Sequence, residues 1–255
     1  MKVVKIGLEI ENNTDFEQTY DVLSQLLGAW RMNGQINGRE YPIAHRKIKL
    51  EVFVNAPDSN AFLKRHNSKY VNENLSKLTK MGVVLRISVL GEEPESMPLC
   101  GCKIVSNFIL FTTYLSLESS LKCAICFGGI PLYKIPKPSH GEYYKIISWQ
   151  SDYQSCDSLQ MNCVVGERFA VNQLSNYDSQ LTKQGLAVCQ SIEEVTNKKV
   201  YYYLYKGSTK SYKSELLRKC PSCQGDWLLN EPWHSIFDFK CDRCNLLSNI
   251  AWDVR

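Results

Sequence analysis

The sequence predicts an α+β protein in three parts, and three observations carry that prediction. Residues 1–95 alternate period-2 apolar runs with 3.6-period runs, the mark of strands and helices packed as layers. Residues 96–207 mix short apolar runs with helical stretches and hold seven of the eleven cysteines. Residues 208–255 hold the other four as two Cys-x-x-Cys pairs, Cys220/Cys223 and Cys241/Cys244, with seventeen residues between the pairs. The expected architecture is an N-terminal β-α-β-α-β layer, a central mixed β/helical region and a C-terminal all-β zinc ribbon.

In the first part, "VVKIGLEIE" puts Val4, Ile6, Leu8 and Ile10 on one strand face. Thr14 and Glu17 form a capping box that starts a helix. That helix aligns Phe16, Tyr20, Leu23, Leu27 and Trp30, and Asn33-Gly34 stops it. A second strand carries Ile48, Leu50, Val52 and Val54. A second helix is expected from about Ser59 to Met81, with Leu63, Tyr70, Leu75 and Leu78 inward and Gly82 after its end. "VVLRISVL", Val83 to Leu90, is a third strand. No glycine cluster joins a strand to a helix here, so no phosphate loop is expected.

"GEEPESMP" then marks a boundary by composition. Beyond it lies a cysteine-rich strand region to about Ser148, followed by two helices. The first places Trp149, Tyr153, Cys156, Leu159 and Cys163 on one face. The second begins at a Ser175 cap and carries Tyr177, Leu181, Val188, Ile192 and Val195. "VYYYLYKG" reads as a strand. Tyr201 to Tyr205 could stack bases, but aromatic residues are ordinary strand formers.

The tail carries the sharpest chemistry. Four thiolates satisfy a tetrahedral zinc ion, and a two-residue gap lets both sulfurs of a pair reach one metal from a tight turn. Such turns need a residue that tolerates positive φ after the second cysteine. Gly225 and Asn245 are placed for it. The intervening segment fits strand, turn, strand ("DWLL", "NEPWHS", "IFDF"), with "LLSNIAW" as a third strand. A four-cysteine site has no open coordination position, so the ion is a staple rather than a reaction centre. A tail this short is expected to need the metal in order to fold.

A second set is less regular. Cys100 and Cys102, with Cys123 and Cys126, give C-x-C-x20-C-x2-C. If "KIVSNFILFTTYL" doubles back, the pairs meet and a second zinc is expected; otherwise they are two unrelated thiol pairs. His140 is a spare candidate ligand for this group. Cys156, Cys163 and Cys189 are expected to be buried structural thiols.

Composition limits the function classes. With 255 residues, 44% hydrophobic and 22% charged, the chain can bury an ordinary core. Phe108 to Leu115 is far too short an apolar run to span a bilayer. Glu9 and Glu11 interrupt what a signal peptide would need as an apolar stretch, so a complete cytoplasmic chain is expected. Eleven cysteines in that compartment are expected as thiols or metal ligands. None of His45, His66, His140 and His234 lies in a Cys-His signature, so no enzyme is expected.

A net charge of +4 shows no concentrated basic stripe. From Lys206 onward, eight Lys and Arg stand against six Asp and Glu, a near balance where phosphate binding would call for a cluster. The clearest basic segment is Lys206, Lys210, Lys213, Arg218 and Lys219, the candidate nucleic-acid contact, with Trp227, Trp233, Phe237, Phe239 and Trp252 as stacking candidates or as ribbon core. Arg39, His45, Arg46, Lys47 and Lys49 form a second basic group, which a solvated strand edge would explain equally.

The tail, with "CFGGIPLYKIP", "CDSLQMNCVVGERFAVNQLS" and "FDFKCDRCNLLSNIAWD", resembles a bacterial family of unknown function labelled as zinc-ribbon-containing and nucleic-acid-binding, the second half of the label being inferred from the ribbon. The resemblance covers nearly the whole chain and implies zinc at Cys220, Cys223, Cys241 and Cys244. By analogy such proteins look like immunity proteins that neutralise a cognate toxin. The expected function is therefore non-catalytic binding of another protein, immunity-like or regulatory. The alternative is nucleic-acid binding through the ribbon and the adjacent basic segment.

Overall fold

The alternation of Val4, Ile6 and Leu8 produces strand β1 (Lys2–Glu9), with all three side chains fully buried. Helix α1 (Phe16–Met32) follows. The computed structural model describes residues 1–10, 15–47, 49–138 and 141–255. Thr14, the expected cap, lies outside the described residues, as do Ile48 and His140. Asp15 caps the helix instead, its side chain accepting from Gln18 N–H at 3.2 Å. Leu23, Leu27 and Trp30 are buried as expected, but Phe16 and Tyr20, on the first two turns, are exposed.

The chain continues with β2 (Ile43–Arg46), β3 (Lys49–Ala56), α2 (Lys69–Lys80) and β4 (Val84–Glu92). The first part is thus β-α-β-β-α-β rather than β-α-β-α-β. The added strand, β2, comes from the basic segment "GREYPIAHRKIK" and pairs antiparallel with β3. The order β2-β3-β1-β4, antiparallel throughout, is the split-βαβ arrangement of ferredoxin-like folds. Helix α2 begins ten residues later than Ser59. Asp58 turns the chain by accepting Asn60 N–H at 2.8 Å, and Ser68 Oγ supplies the cap by accepting Val71 N–H at 3.3 Å. Leu63 and Tyr70 are therefore exposed, and Val71 and Leu78 fill the core. Both helices stop as Asn33-Gly34 and Gly82 promise. Gly34 and Gly82 adopt φ of 68° and 74°, and the next residue donates back to Trp30 O and Leu78 O.

The rest of the chain forms one mixed sheet. Its strands are β5 (Phe108–Leu110), β6 (Leu121–Cys123), β7 (Val200–Leu204), β8 (Leu228–Trp233), β9 (Phe237–Cys241) and β10 (Leu246–Ser248), in the order β6-β5-β7-β10-β9-β8. Three helices, not two, lie between β6 and β7: α3 (Tyr144–Asn162), α4 (Glu167–Ser175) and α5 (Gln180–Thr196). Ser175 ends α4, and Ser179 caps α5 by accepting Thr182 N–H at 3.1 Å. A five-residue helix, α6 (Tyr212–Leu216), precedes the ribbon, so the tail is not all-β.

The ribbon is also no separate miniature. Strand β10 pairs parallel with β7, which places Leu246, Leu247, Phe237 and Phe239 in the same core as Trp149 and Tyr202. Alternation along β7 sends Tyr202 toward Trp149 and Gly185 of the helices, and Tyr203 toward Phe111 and Phe237. All of Tyr201 to Tyr203 are buried, which makes them core rather than stacking platform.

The two sheets meet at specific groups. Tyr133 enters the N-terminal core and donates to Asp58 Oδ1 at 2.6 Å, and Lys134 pairs with Asp58 Oδ2 at 2.7 Å. Tyr143 N–H donates to Met32 O at 3.1 Å. No helix among the described residues is long and apolar enough to cross a membrane.

Candidate metal centres

Antiparallel β5 and β6 bring Phe108 opposite Cys123, so the segment between the two thiol pairs does double back. Cys100, Cys102, Cys123 and Cys126 converge, their sulfurs all within 4.8 Å of one another. Cys220, Cys223, Cys241 and Cys244 do the same. All eleven cysteines are free thiols. Cys223 Sγ and Cys241 Sγ stand 3.7 Å apart, against about 3.8 Å for two corners of a tetrahedron with metal–sulfur bonds near 2.3 Å. Soft sulfur donors, four to a set, could hold a metal ion in both places, and such a set suits zinc or iron.

The two sets are built on the same turn. Cys220 N–H donates to Gly225 O, and Gln224 N–H to Cys220 O, at 3.0 and 2.9 Å. Cys123 N–H donates to Gly128 O, and Phe127 N–H to Cys123 O, both at 2.9 Å. In each turn the residue directly after the second cysteine is left-handed: Phe127 (φ 59°), Gln224 (φ 58°) and, in the second tail pair, Asn245 (φ 51°). Asn245 was expected; Gly225 was expected too, but Gln224 holds that conformation. Gly225 instead directs its N–H at Cys223 and is the main cause of that thiol's pKa falling to about 7. Cys126 also falls to about 7: burial would raise it, but the Gly128 N–H and the neighbouring thiols outweigh burial. Burial pushes Cys100 and Cys220 up to about 12. Four thiols packed this closely cannot all ionise without a cation to hold the charge.

The Cys100–Cys102 arm contains no such turn, and a glycine makes it fit. Cys100 N–H donates to Gly129 O at 3.0 Å, which lays the arm against "FGG". A Cβ on Gly128 would sit 2.7 Å from Cys100 Cα and N. The Gly-Gly after Cys126 was the sequence signal for this close approach. His234 was a further missed contributor. It sits at the β8–β9 turn with φ of 52°, stacks on Phe127 at 5.0 Å and reaches Ala124 O at 3.0 Å. Among the described residues, no histidine joins either set.

The other candidates fall elsewhere. Arg218 is not a free basic residue: it pairs with Glu215, which is 1% exposed, bonds Asn249 O at 2.7 Å and lies 4.1 Å over the Phe239 ring. Lys219 pairs with Asp226. Lys210 and Lys213 are exposed, and Lys206 is half-buried. Trp227, Phe237 and Phe239 are core, whereas Trp252 is half exposed. In the second basic group, Lys49 pairs with Glu9 and Arg39 donates to Ser151 O. His66 packs on Tyr133 at 4.7 Å rather than standing in solvent. Cys156 and Cys189 are buried, but Cys163, left-handed at the end of α3, is exposed.

Three families of unknown function match in succession: DUF8589 over residues 1–91, DUF2310 over 102–205 and DUF8594 over 209–254. A crystal structure from Deinococcus radiodurans, provisionally assigned as an antibiotic biosynthesis monooxygenase, covers 40% of this chain and all of its own at 15% identity. Its TM-score of 0.27 is too low to carry an argument. One uncharacterised protein of Haemophilus influenzae is 40% identical over 145 residues, 57% of this chain and 71% of its own. Another uncharacterised Haemophilus influenzae protein is 34% identical over 249 residues, 96% of this chain and 95% of its own, and the chain belongs to that protein's family.

Proposed function

We propose that both four-cysteine sets hold zinc as structural ions, and that the protein acts without catalysis by binding another protein in an immunity-like or regulatory role. The observation that carries this reading is the closure of both sets. Eight sulfurs converge on two points with no histidine or carboxylate among them in the described residues, and a four-sulfur set leaves no position for a metal-bound water or substrate. The zinc ions hold two turns of one sheet in place, and the surfaces they support do the binding. Arg218, one of the five candidate nucleic-acid contacts, is committed to Glu215 and Asn249, which weighs against phosphate binding there. In favour of a protein partner, β4 is an edge strand with no partner on its outer side among the described residues, and it exposes Val84, Ile87, Val89 and Leu90. Such an edge accepts an added strand.

Two measurements test the proposal. Elemental analysis of purified protein should give two zinc ions per chain; one or none overturns the double-staple reading. Co-purification with the product of a neighbouring gene should be stoichiometric at high salt and lost in Ile87→Lys. If instead DNA or RNA binds at about micromolar affinity, falls steeply with salt, and is lost on charge reversal at Lys210, Lys213 and Lys219, nucleic acid is the partner.

A further inference from the structure

A cavity of about 600 Å³, with no cysteine among its lining residues, lies between the segment after β5, helix α3, the end of β7 and the C-terminal turn. Its volume falls in the range that holds small organic molecules. Aromatic rings wall it: Phe111, Tyr153, Tyr203, Tyr205 and Trp252. Tyr153 and Tyr203 are almost wholly buried, and Trp252 is half exposed at the mouth beside Met161.

One carboxylate interrupts this apolar lining. Asp157, on α3, is 7% exposed, yet its partners are neutral: Tyr114 N–H at 2.7 Å on Oδ2 and Gln160 Nε2 at 3.2 Å on Oδ1. Among the described residues no lysine, arginine or histidine forms an ion pair with it. Arg255 lies over Trp252 and faces Asp238. A carboxylate can accept about four hydrogen bonds, and two are used. Burial accordingly raises the Asp157 pKa, because a charge in this setting lacks a counter-ion. The missing complement is a cation with an apolar body. Its charge would pair with the carboxylate, and its remaining surface would lie on rings whose faces attract cations.

We propose that this cavity binds a small organic ammonium ion carrying an aromatic or aliphatic group, with Asp157 as counter-ion and Trp252 closing over the apolar part. Isothermal titration of the full, zinc-loaded chain at neutral pH with phenethylamine, 2-phenylethanol and 3-phenylpropanoate tests it. The amine should bind, the alcohol should bind at least about tenfold more weakly, and the carboxylate should not bind. Asp157→Asn should reduce the amine to the level of the alcohol. Because Asp157 also holds the Tyr114 backbone, Met161→Trp and Trp252→Ala supply tests at half-exposed positions that leave the fold intact. The first should block the mouth, and the second should weaken the amine several-fold. Absence of amine binding, equal binding of amine and alcohol, or unchanged affinity in Met161→Trp would each overturn the proposal. Zinc content plays no part in the readout, so failure here leaves the structural-zinc reading untouched.

Discussion

His234 Nε2 lies 3.0 Å from the carbonyl oxygen of Ala124, 110 residues earlier in the chain. His234 belongs to the turn of the hairpin at one edge of the six-stranded sheet, and Ala124 follows the last residue of the strand at the other edge. The sheet therefore curls until its edges meet, and the meeting point lies inside the Cys123–Cys126 turn. The two thiol sets are tied into one structure through this contact and the Phe127–His234 stack. His234→Ala removes both, at a cost of about 1–2 kcal/mol. The loss should appear as faster release of one zinc ion of the two to a chromogenic chelator. Equal acceleration for both ions would refute the local assignment.

Each set should lose its own ion. Cys241→Ser and Cys123→Ser are each expected to purify with one zinc per chain instead of two. Each should also melt earlier than the parent, since folding and metal binding share their free energy. Retention of two ions in either variant would rule out that residue as a ligand.

Gly128→Ala is expected to disturb the first set alone. A methyl group at 2.7 Å from backbone atoms of Cys100 forces the arm outward, an overpacking cost of about 1–3 kcal/mol. Zinc should fall toward one per chain. Gly225→Ala, with only Cys223 Sγ near its Cβ at 3.4 Å, should keep two.

Arg218 is expected to behave as a core residue. Removing it strands a fully buried Glu215 carboxylate, and breaking such a pair costs about 3–5 kcal/mol. Denaturant melts of Arg218→Ala should register a loss of that order, whereas Lys210→Ala and Lys213→Ala, both exposed, should melt like the parent.

The joint between the two sheets should weaken in acid. Burial pushes the Asp58 pKa up, but Lys134 and the Tyr133 hydroxyl outweigh burial and hold it below the ordinary aspartate value of 3.8. A depressed folded pKa contributes stability that is full above the unfolded value and fades as pH falls through the folded one. Stability should therefore decline below about pH 4, and Asp58→Asn should be less stable at neutral pH with a flatter acid limb. An acid limb of the same slope in the variant would show that Asp58 does not carry the effect.

Local signals were legible in the residues themselves. Period-2 runs marked β1 and β3, apolar and aromatic runs marked β4 and β7, Asn33-Gly34 and Gly82 marked helix ends, and paired cysteine spacing marked the tail set. These depend on neighbours within a few positions, where backbone preference and apolar spacing decide the outcome. Strand β2 was missed because an edge strand needs only one apolar face and "IAHR" shows little alternation. Helix α4 was missed because Gly166 and Ser175 bracket only nine residues between two stronger helical patterns.

What the chain determined alone was the identity of the candidate donors: eight cysteines in four close pairs, two of which are spaced as a metal-binding set. Whether Cys100 and Cys102 meet Cys123 and Cys126 was a matter of tertiary structure, because it depended on β5 and β6 pairing and on a glycine letting two backbones touch. Arg218 was likewise basic in sequence and became internal only when β10 joined β7. Close pairs are set by bond geometry over two residues, whereas distant ones wait on the packing of everything between them.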